Sequence, residues 1–430
     1  MTLSYDAIVI GGGSAGLAFS KRAAHHGASV LLIEHDTLGG TCVNRGCVPK
    51  KMMWSVADAS QTQSNLMTEG IFDATAEINM DRFVARRDAR IDDIVQSFQS
   101  DLDDKGITRI KGAASITDTV NVDGTSYASN HIVVATGARP SPLNIPGADL
   151  SQTSDDVFGW TDIPETLIVI GAGYIGCEMA AIFNGLGSDV TLVSDGSDVL
   201  SGFSNGSQTI AARNLANSGV ALEFGAKPVA FTNDGDRLRV ALDNGTKLCA
   251  THILNATGRD PNLDAFPDDK PALADNGALA INTRFETSVE GIYAIGDCAD
   301  RLPLTPVARA DGQTLADQLF TDTKPDPIDL NLVATTAFVF PPIGEVGTVD
   351  KITEINTFTA MDSMIEGDDL SEGWALQFSD DDHLSGAAVV GHAAAEAVSY
   401  AAQLIHAKRK RGDLKRATAV HPSRAEEALD

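Results

Sequence analysis

Two cysteines five residues apart, Cys42 and Cys47 in the stretch GTCVNRGCVPKKMMW, carry the most reactive side-chain chemistry in this 430-residue chain. Their spacing does not suit a structural zinc site, which takes close cysteine or histidine pairs and four ligands. No second pair follows, since Cys177, Cys249 and Cys298 each stand alone. Each of those three borders or lies in an apolar segment, so core packing is their expected role. Five cysteines, an odd number, argue against a secreted disulfide framework. A close pair in a chain without such a framework points to redox chemistry in the cytoplasm.

A thiol pair needs elements to position it. Residues 5–16, YDAIVIGGGSAG, read as an apolar strand running into Gly11-x-Gly13-x-x-Gly16, followed by a helical run and a second strand that ends at Glu34, 23 residues beyond Gly11. Strand, glycines, helix and a terminal acid at that distance form a dinucleotide fingerprint. The glycines let the backbone approach a pyrophosphate at the helix N-terminus, and Glu34 is placed to accept from a ribose. The unit returns at 167–195 with Gly171, Gly173 and Gly176, and the phrases VVATGARP (133–140) and NATGRDP (255–261) echo each other. The chain thus reads as α/β with two Rossmann-like modules, the second inserted into the first. GIYAIGDCAD (291–300) places Asp297 at a strand end, where it suits a hydroxyl-bearing ligand. The tail reads as two strands over 374–391 and an apolar-faced helix over 392–410, an α+β arrangement without a nucleotide motif. The expected domains are 1–145 with 265–330, then 146–264, then 331–430.

The bulk numbers bound the partners. Lysine and arginine total 32 against 59 acids, a net charge of -27 that repels nucleic acid and anionic membrane. The charge reads as a strongly solvated surface. MTLSYDAIVIGGG lacks a basic region before its short apolar run and does not read as a signal peptide. No apolar run approaches the ~18 residues of a membrane span.

In order, GGGSAG, LGGTCVNRGCVPKK, ATGARP, GAGYIGCE, ATGRDPN, AIGD, LTPVA and HPSRAEE resemble the flavin-dependent pyridine nucleotide-disulfide reductases over residues 5–428, in the form most similar to glutathione reductase. The resemblance implies an FAD-binding first module, a nicotinamide-binding second module and a C-terminal dimerisation domain in a homodimer whose active sites span both chains. By position, Gly11, Gly13, Ser14, Gly16, Glu34, Thr41, Thr136, Gly137, Asp297 and Thr305 would contact FAD. Gly171, Gly173, Tyr174, Ile175, Gly176, Glu178 and Gly258 would face the nicotinamide cofactor. Cys47 would be the charge-transfer thiolate, Cys42 would attack the substrate, and His421 of the partner subunit would be the acid-base. Lys50 would pair with Glu178 beside the flavin.

The implied chemistry links a two-electron donor to a disulfide through a flavin. The reduced dithiol attacks a small disulfide through Cys42 and is resolved by Cys47. In a regular helix, residues five apart lie ~140° out of phase with a rise of ~7.5 Å, beyond the roughly 4.4–6.8 Å Cα separation of a disulfide. A Cys42–Cys47 bridge therefore requires an irregular turn, which Gly46 permits. His421 precedes Pro422 and is biased toward extended backbone. Ser423-x-x-Glu426 reads as a capping box opening a short last helix; the family role of Glu426, holding the imidazole, competes for the same carboxylate.

Departures from the family pattern set the specificity expected. Residues 186–212 contain no lysine or arginine, and Asp195, 24 residues after Gly171, would repel a 2′-phosphate. NADH is therefore expected over NADPH. Lys21 stands at a carboxylate-binding arginine position, Phe98 at a tyrosine and Gln313 at another arginine, with Arg309 one turn earlier. Lysine holds a carboxylate without the bidentate fork, so a disulfide with fewer carboxylates than glutathione, such as its amide, fits the pattern. Neighbouring readings are an NADH-linked lipoamide-type dehydrogenase and a redox-sensing flavoprotein.

Overall fold

The computed structural model describes residues 3–74, 76–358, 372–423 and 425–426. Helices are named α1 (Ser14–His25), α2 (Gly40–Asn44), α3 (Cys47–Thr68), α4 (Met80–Asp104), α5 (Tyr174–Leu186), α6 (Asn205–Asn217), α7 (Thr305–Phe320) and α8 (Ala394–His406). The chain forms two compact units, 1–50 with 84–141 and 259–330, and 51–83 with 142–258 and 331–430. Segment 142–258 of the second unit lies in the chain between segments 84–141 and 259–330 of the first.

In the first unit a five-stranded parallel sheet runs in the order Ile292–Ala294, Ile132–Val134, Ala7–Ile10, Val30–Glu34, Thr108–Lys111. Its central strand, AIVI, is buried throughout, because helices cover one face and a loop-and-sheet layer the other. Helices α1 and α7 pack closely on one side: a Cβ at Gly312 of α7 would lie 2.5 Å from the Ala15 carbonyl oxygen. Only glycine allows that approach. The seam is fixed at its far end by Arg22, whose Nε and Nη2 donate to Asp317 at 2.6 and 3.0 Å, and by His26 at 2.6 Å from the same carboxylate. Ahead of α7, Arg301 forks onto the fully buried Asp311 of that helix at 3.0 and 2.9 Å.

In the second unit the parallel sheet runs Gln152–Thr153, His252–Asn255, Thr166–Ile170, Asp189–Ser194, Ala221–Phe224. A three-stranded antiparallel sheet (228–234, 237–242, 247–250) follows, with Arg239 opposite Cys249. The C-terminal segment forms an antiparallel sheet in the order Thr335–Ala337, Ile343–Gly347, Leu384–Val390, Glu372–Phe378, Asn356–Phe358, covered by α8. Its apolar side chains share a continuous core with α5 and with Trp54 of α3. Buried Glu345 of that sheet accepts from the Ser204 backbone at 3.1 Å and the Ser207 hydroxyl at 2.5 Å, closing the N-terminus of α6. Among the described residues, no helix is long and apolar enough to cross a membrane.

Candidate active site

The segment bearing the thiols is a helix broken in two. Helix α2 ends at Asn44, Arg45 turns out of helical geometry at φ -142°, and α3 begins at Cys47. The break is the irregular turn that a Cys42–Cys47 bridge demands. Gly46 is required there, since a Cβ would lie 2.9 Å from the Thr41 carbonyl oxygen. Both cysteines are thiols, Cys42 half-buried and Cys47 exposed. The Cys42 thiol shares hydrogen bonds with Cys47 and with the Thr305 and Ser14 hydroxyls, and Cys47 Sγ lies 3.7 Å from Thr305 Oγ1.

Ser14 opens α1, Thr305 opens α7, and Cys47 opens α3. Three helix N-termini therefore converge on the sulfurs, and their exposed N–H dipoles favour negative charge. The bond to Cys47, and then burial, push the Cys42 thiol well above its usual range, against the pull of the Thr305 and Ser14 hydroxyls. Two adjacent sulfurs resist double ionisation. Lys50 stands one turn after Cys47 on α3, half-buried.

Around this pair the first unit builds a dinucleotide cradle. Gly11 has φ +109°, and a Cβ there would meet the Ala135 carbonyl at 2.3 Å; one at Gly16 would meet the Gly11 oxygen at 1.9 Å. Gly13 caps α1 without a side chain, leaving its N-terminal amides accessible to phosphate. Glu34 accepts from the Gly12 N–H at 2.6 Å and the Asp36 N–H at 2.8 Å. A carboxylate has about four acceptor positions, so Glu34 braces the glycine turn and retains capacity for a ribose. Thr136 donates to the Asn262 carbonyl at 2.5 Å, while Gly137 (φ +69°) leaves open space where a Cβ would be. Burial pushes the Asp297 carboxyl up, with Arg259 pulling it down. Glycines, helix N-terminus and a half-buried acceptor suit the pyrophosphate, ribose and ribityl parts of FAD.

The second unit repeats the cradle. A Cβ at Gly171 (φ +105°) would lie 2.4 Å from the Ala256 oxygen and one at Gly176 1.8 Å from the Gly171 oxygen. Gly173 caps α5, Tyr174 follows with 43% exposure, Ile175 is half-buried, and Gly258 has φ +153°. Glu178 is buried and accepts from the Phe338 N–H at 2.9 Å. Asp195 is exposed immediately past the strand Asp189–Ser194. These features suit a second dinucleotide.

Other candidate residues take unequal positions. Lys21 is held by Asp101 at 2.6 Å and lies 4.8 Å from the Phe98 ring centroid, so Lys21 and Phe98 are brought together and the ammonium already has a carboxylate. Arg309 and Gln313 occupy the exposed face of α7 one turn apart. His421 is exposed, and its Nδ1 lies 2.9 Å from Glu426 Oε1. A carboxylate only accepts, so Nδ1 carries the proton and Nε2 is the basic nitrogen. Glu426 Oε2 also accepts from the Ser423 N–H at 3.1 Å. One carboxylate thus serves both the cap and the imidazole, which the sequence sets in competition; both bonds, led by His421, hold Glu426 below its usual range. The helix expected beyond it lies outside the described residues.

One sequence expectation is corrected. Cys177 and Cys298 are fully buried, with burial pushing Cys177 up to about 12. Cys249, in contrast, is exposed and its thiol lies 3.7 Å from Asp234 Oδ2. Its strand sits in a small antiparallel sheet, whose outward positions face solvent despite apolar neighbours in sequence. Asp101 and Arg259, which the sequence reading passes over, meet Lys21 and Thr41 only through the fold.

The pyridine nucleotide-disulphide oxidoreductase profile matches residues 5–312. The chain is 35% identical to a glutathione reductase of Burkholderia cepacia, across 98% of this chain and 97% of that protein. It is 33% identical to a glutathione reductase of Nostoc sp. (strain PCC 7120), across 99% of both. With a dithiol at three helix N-termini and two glycine cradles, the chain belongs to the pyridine nucleotide-disulphide oxidoreductase family and is a flavin-dependent disulfide oxidoreductase enzyme.

Proposed function

We propose that the protein reduces a low-molecular-weight, glutathione-type disulfide with NADH, using FAD and the Cys42–Cys47 pair, as a homodimer. The observation that carries this reading is the convergence of Ser14, Thr305 and the α3 N-terminus on the two sulfurs. FAD, when bound, supplies the passage of two electrons from nicotinamide to the enzyme disulfide.

Cys42 gives its thiol proton to a base and attacks one sulfur of the substrate, that S–S bond breaks, and the departing thiolate takes the proton back from that base. Cys47 then attacks Cys42, releases the second thiolate and leaves the enzyme disulfide. The proton donor is His421 of the partner subunit, and the Nδ1 bond to Glu426 supports that role by leaving Nε2 for substrate. Lys50 serves the thiol side from α3, and Glu178 serves the nicotinamide module from α5. Gly11, Gly13, Gly16, Glu34, Thr41, Thr136, Gly137 and Asp297 hold FAD. Gly171, Gly173, Tyr174, Ile175, Gly176, Gly258 and Asp195 hold NADH. The segments 1–145 with 265–330 and 146–264 serve as the two cofactor domains, and 331–430 as the dimerisation domain.

Exposed Asp195, in a stretch without lysine or arginine, supports NADH: a phosphate there meets negative charge. Lys21 is engaged by Asp101, which Lys105 also binds, and an ammonium lacks the bidentate fork for a second carboxylate, which supports a substrate with fewer carboxylates. Steady-state rates with NADH and NADPH against glutathione disulfide, its amide and lipoamide test the reading. Higher kcat/KM for NADPH overturns the cofactor assignment, and turnover of lipoamide alone overturns the substrate class.

A further inference from the structure

The phrase ATGRDPN contains a charged residue that the scheme above leaves without a role. Strand Arg259–Pro261 pairs antiparallel with Ala138–Pro140, placing Arg259 opposite Pro140. The Asn262 N–H donates to the Gly137 carbonyl at 2.8 Å and Thr136 Oγ1 to the Asn262 carbonyl at 2.5 Å, so the clasp closes directly behind the Thr136–Gly137 turn. From this clasp Arg259 Nη2 donates to the Ala138 carbonyl at 2.6 Å and the Thr41 hydroxyl at 3.4 Å. Thr41 precedes Cys42 on α2.

Asp297 arrives from the opposite direction. It follows the strand Ile292–Ala294, and the Ile295 N–H bonds the Val134 carbonyl at 3.0 Å, which brings Asp297 beside the same turn. There the Arg259 charge acts on its carboxylate. One half-buried guanidinium therefore touches the thiol-bearing helix at Thr41 and the strand leaving the cradle's turn at Ala138, and its charge reaches the acidic acceptor. Three segments far apart in sequence need a common reference if cofactor and thiols are to keep one geometry, and a rigid planar guanidinium whose Nη2 bridges two of them supplies it better than a flexible ammonium.

We propose that Arg259 is the positioning residue of the flavin site, holding Thr41 of the thiol-bearing helix and the Asp297 carboxylate in register with the Thr136–Gly137 turn. The inference rests on the FAD reading above. It places Arg259 in no proton or electron transfer.

The test follows FAD release from holoenzyme on dilution, by flavin fluorescence, for wild type, Arg259→Met, Arg259→Lys, Asp297→Asn and the Met/Asn double variant. Arg259→Met should weaken FAD binding about tenfold or more, with a less than multiplicative effect once Asp297 is gone. Arg259→Lys should recover part of the affinity but leave the thiolate-to-flavin absorbance of the reduced enzyme diminished, because the shorter lysine restores charge without the Nη2 that bridges Ala138 and Thr41. An Arg259→Met Kd within about twofold of wild type, or fully multiplicative effects of the two substitutions, overturns the assignment. If Arg259→Met does not fold, Arg259→Lys with wild-type affinity and absorbance overturns it. Wild-type protein that fails to retain FAD sinks the flavin reading itself, a distinct outcome.

Discussion

Substituting Arg301 by alanine isolates the cost of a buried charge on α7. Asp311 is fully buried on α7, and Arg301, itself only 13% exposed, grips it through two bonds of 3.0 and 2.9 Å. Removing one partner of such a pair costs about 3–5 kcal/mol, because the remaining carboxylate has neither water nor counter-charge. That is roughly two to four decades in the unfolding equilibrium of the first unit. The sign of the pH dependence also follows. Burial already pushes the Asp311 carboxyl up, and Arg301 opposes it. Without Arg301 the folded-state pKa rises further above the unfolded ~3.9, so the native state binds the proton more tightly than the unfolded chain. The destabilisation should be full above the folded pKa and shrink as pH falls through it. Trp54, Trp160 and Trp374 all lie in the second unit, so far-UV circular dichroism is the better probe. Urea melts at about pH 7.5 and about pH 5 suffice. A loss below about 1 kcal/mol at the higher pH, or an equal loss at both, refutes the reasoning.

Two further outcomes are expected. Anaerobic reduction by NADH should produce long-wavelength thiolate-to-flavin absorbance that disappears in Cys47→Ser; persistence of the band would remove Cys47 from the flavin side. In a Cys42→Ser/Cys47→Ser background, native protein should take up one equivalent of iodoacetamide, at Cys249, and three only after denaturation, since Cys177 and Cys298 are fully buried. Absence of native labelling would contradict the exposure of Cys249.

What the sequence determines by itself is local geometry. A glycine at position 16 is demanded by a carbonyl five residues earlier, Gly46 by a carbonyl five residues earlier, and Glu426 by an amide three residues earlier. Those constraints act within a turn or a single βαβ unit, so they are written in spacing, and both cradles and the broken thiol helix can be read from spacing alone. The positions of charges are different. Lys21 reads as a free cation until α4 brings Asp101 against it, and Cys249 reads as core until its strand is seen on a small sheet. Arg259 meets Thr41 across 218 positions. Electrostatic environment is set by whatever packing places within a few ångströms, whatever its distance along the chain, and only the tertiary structure decides that.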